Sequence, residues 1–119
     1  MTSQTPAPAA YVPDTLAELA DLFGRARLHQ LLAGLDAEIV SRLGPIERAG
    51  RNGDATALSD HAHALVSASG SLGFMTLSEA CARLEAACLR DENRASALDD
   101  VLSAAASARR AIAALRDAA

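Results

Sequence analysis

The chain has 119 residues, half of them hydrophobic and only 3% aromatic, and its 11 basic residues (all arginine) face 15 acidic ones for a net charge of −4. One domain fits that length. The acidic balance and the lack of a basic run argue against a nucleic-acid grip, and no basic amphipathic stretch or long apolar run suits a membrane surface or a membrane span.

Residues 1–13 hold Pro6, Pro8 and Pro13 among small side chains. This composition predicts a flexible N-terminal arm, with Tyr11 and Val12 placed to tuck against a folded domain over 14–119. No basic region or apolar run marks a leader, so the expected location is cytoplasmic.

A first helix is expected from an Asp14 or Thr15 cap to about Phe23, with Gly24 as its stop. Leu16, Leu19, Ala20 and Phe23 share one face of it. A second helix is expected over 26–49. Leu28, Leu31, Leu32, Leu35, Ile39, Leu43 and Ile46 recur at helical spacing, and Gly44-Pro45 is placed to end or bend it. After a turn at Gly50–Asp54, Asp54 caps a third helix to about Gly70. A fourth runs over 74–89 with Leu77, Cys81, Leu84 and Cys88 as its stripe. Past Asp91-Glu92-Asn93, a fifth runs over 94–116 with Leu98, Val101, Leu102, Ala105, Ile112 and Leu115 inward.

No segment reads as a strand. Four long amphipathic helices with short connections predict an all-α fold. The expected arrangement is an antiparallel up-and-down four-helix bundle, with the short additional N-terminal helix lying across one end. Cys81 and Cys88 sit seven residues apart on one helix, roughly 10 Å along its axis. That is too far for a disulfide, so they read as buried apolar residues in a reducing compartment.

The chemistry concentrates on the third helix. At about 100° per residue, Leu58, Ala62, Leu65, Ser69 and Leu72 form its core face. His61 lies on the flank of that face, as a half-buried residue bonded to a neighbouring side chain. His63 points outward, with Ser59, Val66, Ser67 and Gly70 on its side of the helix. The two rings point about 160° apart, which argues against a shared metal. His29 reads as a surface or flank residue. A histidine that carries a phosphoryl group must be exposed, with small neighbours that let a partner carboxylate reach the ring nitrogen in line with phosphorus. His63 meets both conditions.

From His63 to Glu85 the chain resembles histidine-containing phosphotransfer (HPt) domains. The matching residues are His63, Leu65, Gly70, Ser71, Leu72, Gly73, Leu77, Cys81, Leu84 and Glu85. The resemblance implies a four-helix bundle of about this size. It also implies that His63 is the phosphoryl acceptor, relaying between receiver-domain aspartates in a two-component phosphorelay. The implied partners are response-regulator receiver domains and a hybrid histidine kinase. The chain itself would need no cofactor, with Mg²⁺ on the receiver. With no ATP-binding segment, it would be a phosphoryl carrier rather than an autokinase.

Two positions depart from the family pattern. Val66 stands where a Lys is usual, and Ser67 where a Gly is usual. Ser67 is small and can donate a hydrogen bond; Val66 supplies no charge. They motivate the alternative of a non-phosphorylated module that docks receivers or other signalling proteins. In either case Ser59, Val66, Ser67 and Gly70 are the candidate partner-binding residues. Val66, Leu72 and Phe74 could also form an apolar patch at that surface rather than core.

Overall fold

The computed structural model describes residues 9–118, and all of its secondary structure is helical: α1 (Pro13–Phe23), α2 (Arg25–Asn52), α3 (Ala55–Ser71), α4 (Met75–Arg90) and α5 (Arg94–Asp117). Helices α2 to α5 form an antiparallel bundle. α3 packs most extensively on α4, α5 on α4 and α2, and α2 on α3, which closes the ring. The expected four-helix bundle with a short extra helix is what the chain forms. Residues 1–8 of the expected arm lie outside the described residues.

The core is aliphatic. Leu32, Ile39, Ile46, Leu65, Leu77, Leu84, Val101 and Ile112 are almost wholly buried, with Phe74 as the one large aromatic among them. Alanines fill the narrow gaps: Ala62, Ala80, Ala105 and Ala108 are each at most 1% exposed, which lets the helices approach closely. Leu72 and Phe74 belong to this core, so neither lies on an exposed patch. Val66 is half-buried and packs against the same core.

α1 crosses the end of the bundle that holds the α3–α4 turn. The Val12 amide donates to the Gly73 carbonyl at 2.9 Å, the Thr76 hydroxyl to the Ala9 carbonyl at 2.9 Å, and the Tyr11 and Phe74 rings lie 5.5 Å apart. Tyr11 and Val12 thus meet the body as expected. α1 starts earlier than expected, because Pro13 takes its first turn, where a missing amide hydrogen costs nothing, and Val12 stands at the cap with no side-chain bond. Phe23, the last residue of α1, is 57% exposed rather than inward.

α2 runs unbroken through Pro45. A proline inside a helix costs about 3 kcal/mol. Ile39 and Ile46, both fully buried, flank it. Burial of each such side chain returns roughly 1.5–3 kcal/mol, so the stripe holds the helix together across the proline. Asp54 caps α3 as expected: its carboxylate accepts the Ala57 amide at 3.1 Å.

Candidate functional site

The register of α3 on α4 builds the site. Gly70 gives a close approach: a Cβ there would stand 3.3 Å from the Ser78 hydroxyl. Ser78 uses that proximity to donate to the Val66 carbonyl at 3.0 Å, and Ser69 back-bonds to the Leu65 carbonyl of its own helix. The helices are antiparallel, so residues falling along α3 meet residues rising along α4. Two turns from the Gly70–Ser78 contact, His63 meets Glu85. One turn further, Ser59 faces Cys88 and Leu89 across a shallow groove of about 260 Å³.

His63 is an exposed side chain, 71% accessible, and its Nδ1 lies 3.0 Å from Oε2 of Glu85. A carboxylate has only acceptors, so Nδ1 carries the hydrogen and donates it. In the neutral ring the lone pair then sits on Nε2, away from α4. Glu85 thereby orients the ring and leaves Nε2 as the nitrogen with the free lone pair, as a carboxylate does for a general-base histidine.

His61 is held on the opposite flank. Arg42 of α2 donates from Nη1 to its Nδ1 at 3.0 Å, and the same guanidinium is pinned by Nε to Oε1 of Glu38 at 2.6 Å. Arginine has no acceptor, so this Nδ1 must be bare. The two histidines are tied to different helices. Among the described residues no cluster of His, Cys, Asp and Glu has the geometry of a metal site.

The surface around His63 is small and largely uncharged. Ser67 is exposed, Ser59 and Gly70 are half-buried, and Val66 presents only part of its side chain. Leu89, one turn beyond Glu85, is 84% exposed. Arg83 and Arg90 line a separate groove between α4 and α5 with Ser96 and Asp100, on the far side of α4 from Glu85. Arg109 pairs with Asp36 of α2 at 2.9 Å. His29 is half-buried on the flank of α2, beside Gln30 and Arg116.

Both cysteines are free thiols. Cys81 is buried, and burial first, then the negative charge of Glu85, pushes its thiol up to about 12. Cys88 is only half-buried, because it borders the groove beside Ser59; burial raises its pKa too, against a lowering by Arg94. Glu85 is the site residue to which the sequence assigns no role, although it stands among the residues that carry the resemblance; the packing of Gly70 on Ser78 is what places residues 63 and 85 opposite each other.

An exposed imidazole on the second helix of a four-helix bundle, oriented by a carboxylate of the third, defines a class. The Hpt domain family profile matches residues 11–118, and the chain belongs to the Hpt domain family. Its structure is similar to the crystal structure of histidine-containing phosphotransfer protein B from Pseudomonas aeruginosa PAO1, with a TM-score of 0.83 and 22% identity over 92% of this chain and 96% of that one. No curated protein sequence matches the chain.

Proposed function

We propose that this protein carries a phosphoryl group on Nε2 of His63 and relays it between receiver-domain aspartates. The single observation that carries the reading is the His63–Glu85 contact: an exposed ring, held by its Nδ1–H, with Nε2 turned to solvent. Membership of the Hpt domain family supports the phosphorelay role.

In the step, the Nε2 lone pair attacks the phosphorus of an aspartyl phosphate in line. The P–N bond forms, the P–O bond breaks, and the aspartate leaves as a carboxylate. Such transfers rest mainly on positioning and electrostatics. Mg²⁺ belongs to the receiver partner, and a hybrid histidine kinase heads the relay. Ser59, Val66, Ser67 and Gly70 form the partner-facing rim. No helix among the described residues is long and apolar enough to cross a membrane. A cytoplasmic site of action fits the two free thiols.

The second reading is a docking module that never takes the phosphoryl group, favoured by the uncharged Val66 beside His63. Incubation with a phosphorylated receiver separates the two. Acid-labile, alkali-stable label on the native chain and on His61→Gln, but not on His63→Gln, is the expected result. Label that persists in His63→Gln places the acceptor elsewhere. A native chain that binds receivers yet never labels leaves the docking module.

A further inference from the structure

We propose that the chain pairs with a second copy of itself, about a two-fold axis, through the corner between α1 and α2, the segment Asp21-Leu22-Phe23-Gly24-Arg25. The pairing does not depend on the use of His63.

The corner carries large apolar side chains with nothing on them. Leu16, Leu19 and Ala20 pack α1 onto the body, and Phe23 is next on the same stripe. Yet Phe23 is 57% exposed, and Leu22 beside it is 75% exposed. Next to them an apolar groove of about 250 Å³ opens between α1, α2 and the end of α5, lined by Leu16, Ala20, Leu28, Leu32 and Leu115. Knob and groove share one surface. In a two-fold contact each copy offers its knob to the groove of the other.

The backbone suits a close approach. The Gly24 amide donates to the Ala20 carbonyl at 2.8 Å, and the Gly24 carbonyl accepts the Leu28 amide at 3.1 Å, so the corner is fixed from both helices. A Cβ on Gly24 would meet nothing within 4 Å. Leu22 of the second copy can therefore cross Gly24 to reach the groove.

The charges select a second copy as the occupant. Asp21 and Arg25 flank the Leu22–Phe23 pair, and both are exposed. Neither takes part in an ion pair among the described residues. A two-fold axis through Phe23 exchanges their places, so each Asp21 faces the Arg25 of the other copy. The result is an apolar centre with two opposite-charge pairs on its rim, the usual anatomy of an interface. Four large side chains make a small contact, so the dimer is weak, with a dissociation constant of roughly 10–100 μM.

Sedimentation equilibrium of the full chain, from well below to well above that concentration, tests the pairing. A reversible monomer–dimer equilibrium is expected. Phe23→Arg should be monomeric with unchanged helical circular dichroism. Asp21→Arg and Arg25→Asp each turn two attractive pairs into two repulsive ones and should weaken the dimer about tenfold. The double variant Asp21→Arg/Arg25→Asp should regain native association, which no purely local effect of either change would do. A native chain that stays monomeric throughout overturns the proposal, as does a double variant no better than the single ones. A monomeric native chain whose binding to a receiver is weakened by Phe23→Arg gives the corner to the receiver and overturns the pairing as well.

Discussion

Arg42 reaches from α2 to donate to Nδ1 of His61 at 3.0 Å, and that contact makes the two neighbouring histidines of α3 chemically different. His61 must be bare at Nδ1 and protonated at Nε2 when neutral; His63, donating to Glu85, must be the reverse. Long-range ¹H–¹⁵N correlation spectra of the neutral rings are expected to show these two opposite tautomers. Arg42→Ala should release His61 to a mixture and leave His63 unchanged. Identical tautomers at both positions would contradict the two contacts on which the site is built.

Leu89 is 84% exposed, one turn past Glu85 on the face of α4 that borders Ser59. An apolar side chain so open makes little of the core, so Leu89→Arg should leave stability within about 0.5 kcal/mol of the native chain. It stands where a partner reaching His63 would close over it, and burial of such an anchor contributes about 1–2 kcal/mol. Titration calorimetry with a receiver that binds the native chain is expected to show about five- to thirtyfold weaker binding for Leu89→Arg. Leu22→Arg is the control. Leu22 is also exposed, at 75%, but it lies on α1 at the opposite end of the bundle. Equal effects of the two substitutions would show that Leu89 is no part of the docking face.

The bundle was legible because its apolar residues recur at helical spacing and its turns carry Gly, Asn and Asp. The core face of α3 was read residue by residue, and Leu58, Ala62, Leu65, Ser69 and Leu72 are all buried. The helix expected over 26–49 does run through Pro45, where the tertiary burial of Ile39 and Ile46 on either side offsets the lost hydrogen bond. Helical phase misjudged Phe23, because it says which residues share a face and not whether a neighbouring element covers that face. The outward phase of His63 came from one helix alone. Its partner Glu85 did not, since a contact across 22 residues depends on how α3 slides on α4, and the close approach at Gly70 and Ser78 decides that.

Two glycines should respond to alanine with opposite sign. Gly73 has φ +77°, and a Cβ there would stand 2.8 Å from Cβ of Thr15, where α1 crosses the α3–α4 turn. The left-handed backbone costs about 1–2 kcal/mol for a side chain. The clash adds roughly 1–3 kcal/mol, because Thr15 sits on a helix and cannot simply swing aside. Gly73→Ala is therefore expected to lower the urea midpoint by the equivalent of about 2–5 kcal/mol. Gly34 lies inside α2 with open space where its Cβ would go. Gly34→Ala should raise stability by about 0.5–1 kcal/mol. A Gly73→Ala protein as stable as the native one would mean that α1 does not sit on this turn as described.

Cys81 ties the core to alkaline stability. Its thiol is raised from 9.0 to about 12 in the folded chain, first by burial and then by Glu85. Below pH 9 the thiol is protonated in both states and has no effect on the pH dependence. Between 9 and 12 the unfolded chain gives up the proton while the native chain keeps it, so the native state binds more protons and stability falls as pH rises. The slope approaches about 1.4 kcal/mol per pH unit, and several kcal/mol are lost across the window. Urea unfolding measured from pH 8 to 11 should therefore decline more steeply for the native chain than for Cys81→Ala, whose own cavity cost is the same at every pH. A thiol-reactive probe at pH 8 should leave Cys81 unmodified until the chain unfolds, since the thiolate is the reacting form. Parallel stability profiles for the two proteins would mean that the buried thiol ionises as readily in the native state as in the unfolded one.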